Sequence, residues 1–292
     1  MNAHRWSGDA AALAQPESTA AVLAVAVSVL QAASDTPQLD AELLLAFATG
    51  RTRSSLLAFP ERRVAPGEAQ QFAELVARRG AGEPLAYLTG EREFFSLVLA
   101  VTPAVLVPRP ETELLVEETL ARCAALSQPA VLDVGTGSGA IALGVKRERP
   151  AAAVTGVDVS EAALAVARAN AARLALDVRW LRSSWFAALG GEPFDVIVSN
   201  PPYVMSADVT GALAFEPRLA LDGGADGYVA YREILATAPA HLASGGALLL
   251  EHGYAQRAAL TALAEASDWL VAGVRDDLAG HARVLVLTRG AP

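Results

Sequence analysis

The sequence has very little cysteine and histidine. Its 292 residues contain one cysteine, Cys123, and four histidines. A single cysteine excludes an internal disulfide, and the scattered histidines form no pair at the spacing of metal ligands. We therefore expect Cys123 to be a buried, inert thiol and the protein to hold no metal.

Long apolar runs and an excess of positive charge are also missing. The longest early apolar stretch, residues 20–27, ends at Ser28, far short of the roughly 20 residues that a membrane span needs. A signal peptide is an alternative for residues 1–34, but Asp9 and Glu17 precede the apolar stretch, so we favour a cytoplasmic helix. The formal charge of −9 disfavours direct nucleic-acid binding, which relies on Lys and Arg clusters.

Helical periodicity marks the N-terminal part of the chain. It predicts helices at residues 19–33, 39–49 and 65–79, with Gly50 and Gly80 as left-handed C-caps. The next segment carries β-forming side chains and turn signals, which predict a hairpin. We assign residues 1–85 to a small helical domain, 86–108 to a β-hairpin linker and 109–292 to a larger domain.

Short apolar runs alternate with helical stretches in this larger domain. Alternation of this kind predicts a mostly parallel sheet covered on both faces, with an antiparallel hairpin where the last two strands leave no room for a helix. The fold class is α/β, a seven-stranded, doubly wound, Rossmann-like sheet. The predicted strands are residues 130–134, 154–159, 178–181, 196–199, 247–251, 270–274 and 283–288.

A glycine-rich turn follows the first of these strands, in DVGTGSGAIAL at residues 133–143. Gly135, Gly137 and Gly139 let the backbone turn tightly and approach a ligand before a helix begins. The pattern also matches a dinucleotide loop, or a bare strand-to-helix turn. Asp158 ends the second strand, where a carboxylate can accept hydrogen bonds from ribose hydroxyls of NAD or of S-adenosylmethionine. Alternatively, Asp158 and Ser160 only cap the following helix.

The sequence VSNPPYV, residues 198–204, follows the fourth strand at the edge where such sheets bind ligands. The two prolines make a rigid turn. The Asn200 side-chain oxygen and a proline carbonyl can accept both protons of a planar NH2 group, and Tyr203 can stack on that group. Next to a methyl donor, this geometry favours methyl transfer to nitrogen. An ordinary turn is the alternative.

These motifs carry a family resemblance. DVGTGSGA, VDVS and VSNPPY resemble S-adenosylmethionine-dependent amino-methyltransferases, a group that includes adenine N6- and protein-glutamine N5-methyltransferases. The sequences VLVPRPETE, FEPRLALDGGADGYVAYREI and LLLEHG resemble the release factor glutamine methyltransferase (PrmC/HemK) type, and RRGAGEPLAYLTG is similar to its N-terminal substrate-recognition domain.

The resemblance implies a substrate, a cofactor and roles for individual residues. It implies methylation of the glutamine in the Gly-Gly-Gln motif of class I peptide chain release factors by a cytoplasmic enzyme, with S-adenosylhomocysteine as the second product. We expect a monomer. Asn200, Pro201, Pro202 and Tyr203 would hold the glutamine amide, with Arg109 a secondary candidate for orienting substrate or cofactor. The residues implied to bind the cofactor are Gly135, Thr136, Gly137, Ser138, Gly139, Asp158, Trp185 and Asn200.

Several alternatives stay open. Trp185 follows Ser184, where the family often has an acid, and core packing explains Trp185 equally well. Arg109 precedes PETE, which can simply start a helix. Adenine N6-methylation, a nucleoside-binding regulatory domain and an NAD-dependent oxidoreductase are the competing functions. Glu251, His252 and Gly253 end a strand at the same edge, and we assign His252 no role.

Overall fold

A computed structural model describes residues 18–290 of the chain. The chain divides into two compact units, the first ending at Gly90 and the second beginning at Glu91. Asp9 and Glu17, on which the argument against a signal peptide rests, lie outside the described residues. Within residues 18–290, no helix is both long and apolar enough to cross a membrane. The boundaries of the three predicted segments stay a prediction.

The first unit is helical. Its helices are Thr19–Leu30, Pro37–Thr49, Arg53–Ala58, Pro66–Gly80 and Leu85–Thr89. Their apolar faces share one core that includes Leu30, Leu44 and Phe72. Gly50 is a left-handed C-cap as predicted, with φ of 64°. The prediction for Gly80 was wrong, because Gly80 is the last helical residue and the left-handed position is Gly82, with φ of 101°.

The second unit begins with the hairpin, whose antiparallel strands are β1 (Glu91–Phe94) and β2 (Leu97–Ala100). The hairpin is narrower than the segment assigned to it, since residues 85–89 are helical. All seven predicted strands of the main sheet are confirmed, with ends shifted by a few residues. They are β3 (Ala130–Val134), β4 (Ala153–Asp158), β5 (Arg179–Arg182), β6 (Phe194–Ser199), β7 (Leu242–Glu251), β8 (Trp269–Asp276) and β9 (Ala282–Arg289).

The strand order is β5-β4-β3-β6-β7-β9-β8. Strands β3 to β7 are parallel, and β9 pairs antiparallel with both β7 and β8, as predicted. The chain runs outward from β3 to β5 and then returns to β6 on the other side of β3. The switch point of the sheet therefore lies between β3 and β6, where ligands of doubly wound sheets bind.

Helices cover both faces of the sheet. They are Glu113–Cys123, Ala140–Glu148, Glu161–Leu174, Arg218–Leu221, Val229–Thr237 and Arg257–Glu265. One core contains Val131, Val196 and Leu143, and the other contains Leu132, Ile197 and Trp269, because successive residues of a strand point to opposite faces. Cys123 is buried, and burial raises the pKa of its thiol to about 11. The thiol is therefore protonated at neutral pH, as expected for an inert cysteine.

Candidate active site

A cavity of about 320 Å³ lies at the carboxyl edge of the sheet, beside the switch point. Its wall includes residues that follow β3, β4 and β6, together with the segments around residues 104–112 and 217–220. The predicted residues at this wall are Arg109, Gly135, Thr136, Gly137, Ser138, Asp158, Trp185, Asn200 and Pro202. Gly139, Pro201 and Tyr203 are not among the lining residues.

The glycine turn after β3 depends on backbone conformations that favour glycine. Gly135, Gly137 and Gly139 have φ of 74°, 55° and 83°, in the left-handed region that other residues rarely adopt. Gly139 is also limited by space, because an added Cβ would lie 2.9 Å from Cη2 of Trp180. The turn is therefore built to leave backbone, without side chains at Gly135 and Gly137, at the cavity wall.

Asp133 stabilises this turn through hydrogen bonds. Its fully buried carboxylate accepts hydrogen bonds from Oγ1 of Thr136 at 2.6 Å and from the backbone N of Ala142 at 3.2 Å. Burial raises the pKa of Asp133 to about 7. Asp133 lies within the recognised motif, yet sequence reasoning gave it no role, since its contribution is to hold the turn rather than to face the cavity.

Asp158 joins the turn to the end of β4. Its Oδ2 accepts from the backbone N of Gly137 and its Oδ1 from the backbone N of Ser160, both at 2.9 Å. The helix cap is Ser160, whose Oγ accepts from the backbone N of Ala163. Burial raises the pKa of Asp158. The backbone N of Val159 also acts on this carboxylate as a hydrogen-bond donor. A carboxylate has about four acceptor sites, so Asp158, which lines the cavity, retains capacity to accept a hydroxyl group of a ligand.

The turn at residues 200–203 directly follows β6. The Nδ2 of Asn200 donates to Oγ1 of Thr112 at 3.1 Å. Asn200 and Pro202 line the cavity, whereas Tyr203 packs against the core that contains Trp269. Burial raises the pKa of Tyr203. The predicted stacking of Tyr203 on an acceptor amide stays a prediction.

Arg109 forms an ion pair with Glu216, a buried carboxylate that also accepts from the backbone N of Val107 at 2.9 Å. This pair ties together two segments of the cavity wall. The Arg109 side chain keeps about a third of its surface exposed. The predicted role of Arg109 in orienting a ligand stays a prediction.

The position of Trp185 is compatible with both interpretations, a contact to the cofactor and packing in the core. It lines the cavity and it also packs against the core on that face of the sheet. Its φ of 50° is unusual for a residue with a side chain. Ser184, which stands where the resembled family often has an acid, also lines the cavity.

Comparisons with known proteins identify the family. The pattern of the PrmC N-terminal domain matches residues 21–90, and that of the methyltransferase small domain matches residues 110–216. Release factor glutamine methyltransferase of Salmonella typhimurium is 47% identical, over 86% of this chain and 92% of the relative. The protein of the same name from Burkholderia pseudomallei is 48% identical, over 89% and 94%. This chain belongs to the release factor glutamine methyltransferase family.

A solved structure shows the same fold as this release factor glutamine methyltransferase family member. A methyltransferase from Pyrococcus furiosus superposes with a TM-score of 0.51 at 21% identity, over 68% of this chain and 91% of that one. The predicted Rossmann-like methyltransferase fold is therefore confirmed. The predicted family resemblance is confirmed as well.

Two glycines pack closely against the backbone of the turn at residues 200–203 in this family member. A Cβ added at Gly223 would lie 2.8 Å from Cα of Tyr203 and 2.9 Å from the carbonyl oxygen of Pro202. A Cβ added at Gly227 would lie 2.7 Å from the carbonyl oxygen of Tyr203, which also accepts from Nε2 of Gln256 at 3.2 Å. Sequence reasoning gave Gly227 and Gln256 no role.

Glu251 is a further residue of this site to which sequence reasoning gave no function. It ends β7 and is 2% exposed. The side chains of Thr112 and Asn200 lie close enough to its carboxyl group to lower its pKa, and one carboxyl oxygen, Oε2, has no hydrogen-bond partner. Burial raises the pKa of Glu251 to about 7. The sequence signal was its position at the end of a strand at the ligand edge.

The cavity of this methyltransferase suits a nucleoside cofactor with an amino-acid tail. Three features of the cavity match the three parts of such a molecule: side-chain-free backbone at Gly135 and Gly137, the carboxylate of Asp158 and a largely apolar remainder. In the part of the chain that the structure describes, no group of three or more His, Cys, Asp and Glu side chains could hold a metal ion. The absence of a metal from the enzyme stays a prediction.

Proposed function

We propose that this protein methylates the side-chain amide nitrogen of the glutamine in the Gly-Gly-Gln motif of class I peptide chain release factors, with S-adenosylmethionine as methyl donor. The observation that carries the proposal is the rigid turn at residues 200–203, which places Asn200 and Pro202 at one cavity wall beside the glycine turn and Asp158. The names of the curated relatives favour a release factor over adenine in DNA or RNA.

The cofactor contacts follow from the site. Residues 135–139 would hold the amino-acid end of the cofactor, Asp158 the ribose hydroxyls, and Trp185 would lie beside the base. When bound, S-adenosylmethionine supplies an electrophilic methyl group on a positively charged sulfur. The chain's own contribution is to hold both reactants in one cavity, where orientation lowers the barrier.

The acceptor contacts use the Asn200 turn. The Asn200 Oδ1 and a proline carbonyl would accept the two amide protons, which directs the nitrogen lone pair toward the methyl carbon. A nitrogen–carbon bond forms as the carbon–sulfur bond breaks, and one proton then leaves the nitrogen. An amide that has just gained a methyl group is a strong acid, so loss of this proton to water or a carbonyl suffices and no single residue is an indispensable base.

The N-terminal unit would recognise the release factor away from its glutamine. A single amide offers too little surface for specificity, and remote binding energy can be used to orient the reacting group. The exposed apolar side chains of Phe47, Leu57 and Phe59, on neighbouring helices or their ends, support this role. We also propose that the enzyme is a cytoplasmic monomer that binds no nucleic acid directly.

A methyl-transfer assay tests the proposal. Labelled S-adenosylmethionine and the protein are incubated separately with a class I release factor, with its variant carrying alanine for the motif glutamine, and with duplex DNA. We expect label on the unaltered release factor alone. Label on DNA would instead identify adenine as the acceptor, and cofactor binding without any transfer would point to a regulatory domain.

A further inference from the structure

The buried carboxyl group of Glu251 belongs to the strand that neighbours β6, at the level of Asn200. Glu251 is among the most buried charged residues of the second unit, yet no ion pair is formed by its side chain in the described residues. Asn200 and Glu251 follow Ser199 and Leu250, which pair in the register of β6 and β7, and the side chains of Thr112 and Asn200 both lower the pKa of the Glu251 carboxyl group. Thr112 and Asn200 line the cavity, whereas Glu251 is not among the lining residues. Any effect of Glu251 on a bound acceptor therefore passes through these two side chains.

The orientation of the Asn200 amide decides whether it donates or accepts hydrogen bonds in the cavity. One end of an asparagine amide donates two hydrogen bonds and the other end only accepts. Nδ2 of Asn200 donates to Oγ1 of Thr112 at 3.1 Å. An ionised carboxylate can only accept, so Glu251 also favours the NH2 end of Asn200 on this side. The remaining oxygen, Oδ1, is then the end that is free for a donor in the cavity.

We propose that Glu251 is a positioning residue, which, together with Thr112, holds the Asn200 amide with Oδ1 available to the acceptor NH2 group. This inference rests on the proposed function, because it assumes that Asn200 receives the acceptor amide. A flipped Asn200 would present its own NH2 group to that of the acceptor. Two donors would then face each other, and the acceptor nitrogen would lose its alignment.

The charge state of Glu251 gives this arrangement a pH dependence. The pKa of Glu251 is raised to about 7: burial and the negative charge of Glu111 raise it, and Thr112, Arg283 and Asn200 lower it. Tyr203, Tyr231 and His252 are further titratable neighbours; burial raises the pKa values of both tyrosines and lowers that of His252. Only Glu251 in this set therefore changes charge near neutrality. A protonated Glu251 can donate to Oδ1 of Asn200, which removes the preference for the productive orientation.

The first test compares the pH profiles of wild-type protein and Glu251→Gln, with a release factor as substrate at saturating concentration. Glutamine has nearly the shape of glutamate but both donates and accepts, so it cannot select one amide orientation. We expect the wild-type kcat to rise about tenfold between roughly pH 6 and 8. Glu251→Gln is expected to be about tenfold slower at the upper end and nearly independent of pH.

A matched control is Glu118→Gln. Glu118 is also buried, but it lies on the helix Glu113–Cys123 and pairs with Arg122 and Arg275. This variant should keep the wild-type rate and the wild-type pH profile. Thr112→Val should lower kcat and Thr112→Ser should restore most of it, because serine keeps the hydroxyl group that accepts from Asn200.

A double-mutant cycle tests whether Glu251 acts through Asn200. If it does, adding Glu251→Gln to Asn200→Ala causes no further loss of kcat, because the oriented group is already gone. Independent, multiplied losses would overturn the inference, as would a wild-type pH profile in an active Glu251→Gln protein. If wild-type protein transfers no methyl group to the release factor, the proposed function fails first, and this inference fails with it.

Discussion

The backbone nitrogen of Gly137 donates a hydrogen bond of 2.9 Å to Oδ2 of Asp158. This bond joins the glycine turn after β3 to the end of β4, across the two adjacent strands. The carboxylate proposed to hold the cofactor's ribose thus also fixes the turn proposed to hold its amino-acid end. One substitution at Asp158 should therefore disturb both parts of the cofactor site.

Asp158→Asn is expected to weaken binding of S-adenosylmethionine by about tenfold or more, because an amide accepts hydrogen bonds less well and brings a donor of its own. Isothermal titration calorimetry measures the change. Asp195→Asn is the control, since Asp195 also accepts from a backbone nitrogen, that of Ala130 at 2.8 Å, but lies at the start of β6. Equal weakening in both variants would show that the effect is not specific to the site.

Asn200→Ala should separate catalysis from cofactor binding. We expect methyl transfer to fall by about 100-fold or more, since a positioned acceptor contact is lost. The Kd for S-adenosylmethionine should change by less than about threefold, because the proposed main contacts of the cofactor lie at residues 135–139 and Asp158. A parallel loss of both properties in a folded protein would contradict the assignment of Asn200 to the acceptor.

Gly223→Ala tests the support behind the turn. The new Cβ would lie within 3 Å of backbone atoms of both Tyr203 and Pro202, so the turn must move and methyl transfer should fall by about tenfold or more. Gly190→Ala is the matched control, because an added Cβ there meets nothing within 4 Å. Circular dichroism confirms that both variants are folded. Full activity of Gly223→Ala would show that the position of the turn is not critical.

Local features of this protein could be predicted from the sequence, whereas contacts between distant residues could not. The seven strands and the Asn200 turn were predictable, because a strand's apolar run and a turn's prolines are local patterns. The contacts of Thr112 and Glu216 were not, since Asn200 meets Thr112 across 88 residues and Arg109 meets Glu216 across 107. Only the fold brings such pairs together. Gly80 was predicted wrongly because the local pattern could not distinguish it from Gly82, two residues later.

The exposed apolar residues of the N-terminal unit should contribute to release factor binding. Leu57→Ser with Phe59→Ser is expected to raise the KM for a release factor by about tenfold, because two exposed apolar contacts are lost. The rate with a short Gly-Gly-Gln peptide should not change. Leu278→Ser is the control, as Leu278 is fully exposed in the second unit. An unchanged KM for the release factor would remove these residues from the proposed interface.

Glu251→Gln should increase stability at high pH. The pKa of Glu251 is raised from 4.5 to about 7 in the folded protein, so the folded state holds the proton more tightly than the unfolded state. Stability from this group therefore falls as pH rises from about 4.5 to about 7, and stays low above that range. Relative to wild type, the Tm of Glu251→Gln should be higher at about pH 8 than at about pH 5. A difference in Tm that does not change with pH would show that Glu251 has an ordinary pKa.

The central claim is that the acceptor is the glutamine amide held at Asn200. Tandem mass spectrometry of a class I release factor, after incubation with S-adenosylmethionine and either wild-type protein or Asn200→Ala, tests it most directly. The account predicts one methyl group on the side chain of the Gly-Gly-Gln glutamine with wild-type protein, and almost none with the variant. A methyl group on another residue, or equal methylation by both proteins, would contradict it.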